Sequence, residues 1–499
     1  MTLLRERDTS TTHQNNCTLF SMRAVVLEQR ERTRKSSKAD IERFIEESES
    51  KITSLDSQIN ALVNLRDRER TYVAALRYLI SPIHTLPVEL LARIFELAIR
   101  DYMHVWDVFR ISQVCSDWRE VAHSTPRLWT RPMRIDLRKD RSGDQEKIYT
   151  DGLKTWLTCS APFTVPISVV LIPMSSRRLT EQILGTAPRW RSLQLIYPPP
   201  WFISQLAEAS MHNLEELDLG IKDGNFHNYR TEDFDLFKFT TVPRLRRLCL
   251  HINSNTLSIL VPAAQLTDLI LNVHCSNIAL DILAQCTNLI HAALRTTGMF
   301  SRPHAIQTVP TLSHLRVLSL RFFGSEEHAM SFLDHLPTPA LEELSLDFDD
   351  ASNPSWSEVH FIAFQRQAPN ITQLKLWWSR LTSDELRSAI CHAPSLTHLE
   401  LISCHACFDD VLISALCYKP GASPLAPHLH HLRLDDVGDK FTPNVLADMI
   451  VSRWRTGDEL VPSHRIPPPV PHWTRVEFSG GYFGPLNGFK DLPSNVLIY

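Results

Sequence analysis

The stretch Pro394-Ser395-Leu396-Thr397-His398-Leu399-Glu400-Leu401-Ile402-Ser403-Cys404 sets three leucines in the order apolar-x-x-apolar-x-apolar. Alternation with a period of two puts Leu399 and Leu401 on one face of a short strand. Pro394 suits the turn into it. The same hexad recurs as Leu214-x-x-Leu217-x-Leu219, Leu245-x-x-Leu248-x-Leu250, Leu266-x-x-Leu269-x-Leu271 and Leu315-x-x-Leu318-x-Leu320. It returns as Leu341-x-x-Leu344-x-Leu346, Ile371-x-x-Leu374-x-Leu376 and Leu429-x-x-Leu432-x-Leu434, with looser copies beginning at Trp190, Leu289 and Trp473. Proline or asparagine stands just ahead of several copies, at Pro243, Pro339, Asn370 and Pro427.

A hexad of this form, recurring at a period of about 27 residues, is the signature of leucine-rich repeats. No single copy can bury its leucines, so neighbours stack and their strands form a curved parallel sheet, the chain returning between strands as a helix or an extended arc. Thr382 to His392 reads as one such helix. The fold class expected is therefore α/β, a leucine-rich repeat solenoid over 152–480, with a C-terminal tail at 481–499. The ninth residue of the Leu396 copy is Cys404, at the buried Asn/Cys position of the pattern. That place accounts for it better than zinc binding with Cys407, so no metal and no cofactor are expected.

Upstream, Ile45, Ile52, Ile59, Val73 and Ile80 recur at seven residues, as do Ile41, Leu55, Leu62 and Leu76, with no proline or glycine between. This predicts a long helix over 38–81. Ser48, Arg66 and Glu69 interrupt its seam, which leaves two readings open: a helix packed on its own chain, or an oligomerisation seam. Residues 1–37 are polar and read as a disordered tail. The charged run 138–151 reads as a connector.

Between these lies a compact segment, 82–137. It contains Leu86-Pro87-x-Glu89-Leu90-Leu91-x-x-Ile94-Phe95, then Val114-Cys115-x-x-Trp118-Arg119-x-x-Ala122, then Leu128-Trp129. These three blocks resemble the F-box, and the Thr125-Pro126-Arg127-Leu128-Trp129 ending is similar to F-box-like proteins of fungal type. The resemblance implies a three-helix module that docks on the Skp-type adaptor of a cullin-RING ubiquitin ligase. The contact set it implies is Leu86, Pro87, Leu90, Leu91, Ile94, Phe95, Val114 and Cys115, with Trp118 and Trp129 holding the module together. The chain departs from the family at Asp107-Val108-Phe109-Arg110, where leucines usually follow an aspartate.

Composition narrows the function classes. The 499 residues carry a formal net charge of −4, which implies no general attraction to nucleic acid or an anionic membrane. Only 14 residues are glycine, against an enzyme built on phosphate-cradling loops. Met1 to Arg7 turns charged before an apolar run forms, so no signal peptide is expected, and the 10 cysteines read as reduced thiols of cytoplasm or nucleus. No catalytic motif stands out, and the chain reads as a non-enzyme that joins an adaptor to a target protein. Charged x positions of the hexads, Glu216, Asp218, Arg247, Lys375 and Glu400, are the candidate target contacts. The alternative function is a scaffold unconnected to a ligase, with the helical module as a cap on the solenoid and the 41–80 helix as its oligomerisation seam.

Overall fold

The computed structural model describes residues 37–100, 104–138, 143–172, 175–219, 237–239, 242–252, 259–260, 262–273, 275–297, 310–323, 329–349, 355–419, 424–454, 470, 472–479 and 497–498, with isolated residues between 24 and 34. Most of the tails expected at 1–37 and 481–499 falls outside them. Two compact units divide the chain, Met1–Leu91 and Ala92–Tyr499.

In the first unit, helix α1 spans Lys38–Leu79. Ser37 and Asp40 form a capping box: the Asp40 N–H donates to Ser37 Oγ at 3.4 Å, and the Ser37 N–H donates to Asp40 Oδ2 at 3.1 Å. Pro82, which opens the 3₁₀ turn Pro82–Thr85, sets the far end. No residue of α1 is buried, and its heptad isoleucines and leucines are exposed. Its i,i+3 and i,i+4 ion pairs, such as Lys38–Glu42 and Asp40–Arg43, add only slight support at such exposure.

The second unit holds a sheet of 14 parallel strands among the described residues, arranged in the order of the chain. They are β1 (Met133–Asp136), β2 (Val165–Val170), β3 (Trp190–Ile196), β4 (Glu216–Leu219), β5 (Arg247–Ile252), β6 (Asp268–Val273) and β7 (His291–Thr296). They continue as β8 (Val317–Phe322), β9 (Glu343–Asp347), β10 (Gln373–Trp377), β11 (His398–Ile402), β12 (His431–Asp435), β13 (Arg475–Ser479) and β14 (Leu497–Ile498). The register stacks like on like. Leu318 faces Leu344, which faces Leu374, then Leu399, Leu432 and Val476. Every one of these is buried, as is the leading leucine of each hexad. Repetition of one apolar pattern thus becomes one continuous core.

The turns into the strands are tied from repeat to repeat. Asn213, Asn288 and Asn370 each donate a side-chain N–H to a carbonyl of the preceding repeat, Pro188, Ala264 and Pro339, all at 2.8 Å. Return segments are helices such as Ser383–Cys391, started by a capping box between Thr382 and Glu385, or 3₁₀ turns such as Ala329–His335. Directly after β3, β10, β11 and β12 come Tyr197, Trp378, Ser403 and Asp436, with φ of 57°, 58°, 52° and 52°. These left-handed conformations favour glycine, so the side chains there carry local strain.

Two expectations about boundaries change. The sheet begins at Met133, within the range assigned to the helical module, because Ile135, Val165, Ile167 and Val169 fill inward positions without forming a leucine hexad. The charged connector expected over 138–151 is helical from Gly143 onward, in a helix reaching Cys159. Leu153 and Trp156, buried at i and i+3, give that helix an inward stripe which the flanking charges mask in the sequence.

Candidate functional site

Helix α2 (Val88–Ala98) follows Pro87, whose carbonyl accepts from the N–H groups of Leu90 and Leu91, both at 3.0 Å. The boundary between the two units falls within this helix, after Leu91. Its apolar residues form two faces. Leu91 and Phe95, at i and i+4, are buried, as is Ile99 just past the helix end. Leu90, Ile94 and Leu97, at i, i+4 and i+7, are 54%, 43% and 73% exposed. At 3.6 residues per turn the second stripe lies roughly a third of a turn from the first. A helix that is apolar on both a covered and an open face has more to bury than its own chain covers.

Helices α3 (His104–Ser112) and α4 (Ser116–Ser124) build the core behind Phe95. The Phe95 and Trp118 rings lie 4.9 Å apart, and Phe109 meets Trp129 edge-on at 6.2 Å. Trp129 is buried, and its Nε1–H donates to the Ala122 carbonyl at 2.8 Å. Cys115 caps α4, its Sγ accepting from the Trp118 N–H at 3.5 Å. Where the chain departs from the family, Asp107 ties the end of α2 to α3. Arg100 donates to it from its backbone N–H at 3.2 Å and from its guanidinium at 3.2 and 3.1 Å. Those hydrogen bonds hold the Asp107 carboxyl below the usual carboxylate range. The sequence reading missed this tie, whose signal was an Arg and an Asp seven residues apart.

Of the implied contact set, Leu90, Ile94, Pro87 and Val114 are exposed and Leu86 and Cys115 half-buried. Leu91 and Phe95 are not available to a partner: both point into the chain, and their assignment is corrected to the module core. Trp106 and Phe109 are exposed apolar residues of α3 that the contact set left out.

The five target candidates all lie on the open face of the sheet, in two groups far apart in strand order. On β4 and β5, Glu216 pairs with Arg247 at 3.7 Å, Asp218 accepts from Gln194 Nε2 at 3.0 Å, and Arg247 also meets Asp268 at 3.7 Å. On β10 and β11, Lys375 lies 2.7 Å from Glu343 and 3.6 Å from Glu400. Burial works against the Lys375 charge, but its hydrogen bond with Glu343 and the attraction of Glu400 and Glu343 outweigh it, so its pKa is raised. The ladder continues through Arg433, which bridges Glu400 at 4.0 Å and Glu477 at 3.5 Å.

Beside this ladder the rings of His398, His430 and His431 cluster, His398 lying 5.0 Å from His430 and 4.8 Å from His431. Burial, then the neighbouring imidazoles and Lys375, lowers the pKa of His398 against the pull of Glu343. Burial also lowers that of His431, against the pull of Glu400 and Glu477. Cys404 is buried, its thiol donating to the carbonyls of Leu376 at 3.5 Å and Ile402 at 3.4 Å, which bridges two strands as its place in the repeat requires. Among the described residues no group of three or more His, Cys, Asp or Glu side chains is placed to hold a metal ion. Nor, among them, is any helix long and apolar enough to cross a membrane.

Residues 83–135 match the family model described as F-box-like. No curated protein matches the chain. Among solved structures, a protein of Bacteroides fragilis aligns over 60% of this chain and 86% of its own, at 12% identity and a TM-score of 0.31. The chain thus carries an F-box-like domain over residues 83–135, set ahead of most of a parallel α/β repeat solenoid.

Proposed function

We propose that this chain is the substrate-recognition subunit of a Skp–cullin–F-box type ubiquitin ligase of the cytoplasm or nucleus. The F-box-like domain holds the Skp-type adaptor and, through it, the cullin-RING assembly. The open face of the repeat sheet receives a target protein, and the transfer chemistry belongs to the other subunits. The observation that carries this reading is the double-faced helix α2: one apolar stripe is consumed by the chain's own core, the other is open. Covering Leu90, Ile94 and Leu97 by a partner removes apolar surface from water, which is the main favourable term in association.

The test is binding of the purified full chain to a purified Skp-type adaptor, beside a Leu90→Asp/Ile94→Asp variant. Both positions are exposed, so the variant keeps its fold and its thermal transition. Burying two unpaired carboxylates at an interface weakens binding by roughly 100-fold or more. A folded wild type that does not bind the adaptor overturns the ligase reading and leaves the helical domain as a cap on the solenoid.

A further inference from the structure

We infer that a second copy of this chain covers the apolar stripe of α1, and that the two helices run antiparallel. The helix is about 63 Å long at 1.5 Å per residue. It presents Ile45, Ile52, Ile59, Leu62, Val73 and Leu76 to solvent along one seam, with none of its residues buried. A stripe of that length is more apolar surface than a soluble chain ordinarily leaves open. Seven-residue spacing is the form in which a like helix fits it, knobs into holes.

The charges beside the seam decide the direction. One flank is acidic in its first half, at Glu42, Glu49 and Asp56, and basic in its second, at Arg70 and Arg77. The other flank is apolar near both ends, at Phe44 and at Leu79. In an antiparallel pair each flank meets the same flank of the second copy read backwards. Setting Ile45 against Leu76 of the second copy brings Glu42 to Arg77, Glu49 to Arg70 and Phe44 to Leu79. The polar seam residues find partners in the same register, Arg66 beside Asp56 of the second copy and Glu69 beside Lys51. A parallel pair sets Arg66 against Arg66 and Glu69 against Glu69. It also sets Phe44 against Glu49 and Tyr72 against Arg77, apolar side chains against charges. Antiparallel pairing leaves Asp56 against Val63 and Lys51 against Tyr72, and parallel pairing gains Lys51 against Asp56. But the antiparallel pair makes four opposite-charge flank contacts per dimer against two, and it alone removes the like-charge contacts from the seam.

The experiment is sedimentation equilibrium of the full chain at low salt, with two variants. Glu42→Arg/Glu49→Arg reverses the acidic half of the flank, and a quadruple variant adds Arg70→Glu/Arg77→Glu. All four side chains are exposed, and circular dichroism checks that helix content is unchanged. The wild type dimerises, and the double variant, with four like-charge contacts per dimer, does so roughly 10-fold or more weakly. The quadruple variant, which restores every pair with its signs exchanged, returns to within about 3-fold of wild type. A wild type that stays monomeric to about 50 μM overturns the inference. So does a quadruple variant no tighter than the double, since only antiparallel pairing sets these positions against one another. Neither outcome bears on adaptor binding by α2.

Discussion

Phe95 and Trp118 lie with their ring centroids 4.9 Å apart and their planes at 55°, and this contact joins α2 to α4 inside the F-box-like domain. Ile94, one residue earlier, is 43% exposed, whereas Phe95 is 1% exposed. If the proposed function holds, these adjacent residues separate stability from binding. Phe95→Ala removes a buried ring and lowers stability by about 3–5 kcal/mol. Ile94→Ala changes stability by less than about 1 kcal/mol but weakens adaptor binding. Denaturation and adaptor titration on both variants check this; equal loss of stability from the two would remove the distinction between the faces.

Arg453 is fully buried near the end of the array, within helix Pro443–Trp454. Its guanidinium donates to the carbonyls of Leu416 at 2.9 Å, Leu429 at 3.0 Å, Leu425 at 2.7 Å and Ala426 at 3.1 Å, and lies 5.5 Å from the Trp473 ring centroid. Burial brings its pKa down to about 10, so it stays charged at neutral pH. Arg453→Ala takes the guanidinium donor from all four carbonyls, of which Ala426 keeps the Leu429 N–H at 3.2 Å, and lowers stability by roughly 3 kcal/mol or more. Arg453→Lys recovers little, because an ammonium cannot reproduce the planar fork. Hydrogen exchange across 410–454 is the measurement, with faster exchange expected in both variants and little change in the strands before β10.

The clustered imidazoles give a pH dependence with a definite sign. His398 and His431 have folded-state pKa values below their ordinary 6.5, burial being the first cause in each. Between the folded and unfolded values the unfolded chain binds more protons, so stability rises with pH there. The contribution is fully present above pH 6.5 and is lost as pH falls through 6.5 toward the lowered values. Urea midpoints should therefore be lower at about pH 5.5 than at about pH 7.5, and the fall should shrink in a His398→Gln/His431→Gln variant. An unchanged slope in that variant would assign the acid sensitivity to other groups.

Asp436 sits at φ 52° immediately after β12. Its ion pair with His405, at 3.8 Å, is exposed and contributes little. Asp436→Gly removes the side-chain clash of the left-handed conformation and raises stability by about 1 kcal/mol, less the greater freedom of glycine in the unfolded chain. A higher urea midpoint is expected. Asp436→Val, β-branched at the same φ, is expected to lower it.

The solenoid was legible in the sequence because its signal is repeated: each leucine hexad carries the same two inward positions, and Leu318, Leu344, Leu374, Leu399 and Leu432 stack as that repetition implies. Strands β1 and β2 were not legible, since Ile135, Ile167 and Val169 bury the same surface without spelling the hexad. In α2 the sequence shows apolar residues on most of the helix, and periodicity alone cannot tell Leu91 from Leu90. Only the placement of Trp118 against Phe95 decides which stripe is core. The clamp at Arg453 had no local signal, because its acceptors are backbone carbonyls contributed by the end of helix Asp410–Leu416 and by the segment Leu425 to Leu429 ahead of β12.

The strand order of the sheet follows the chain without a single exchange, each strand pairing only with the ones before and after it. A repeat gained or lost whole therefore requires no other strand to find a new neighbour. The number of repeats, and with it the length of the sheet's open face, is free to drift between descendants of one ancestral gene without rebuilding the F-box-like domain.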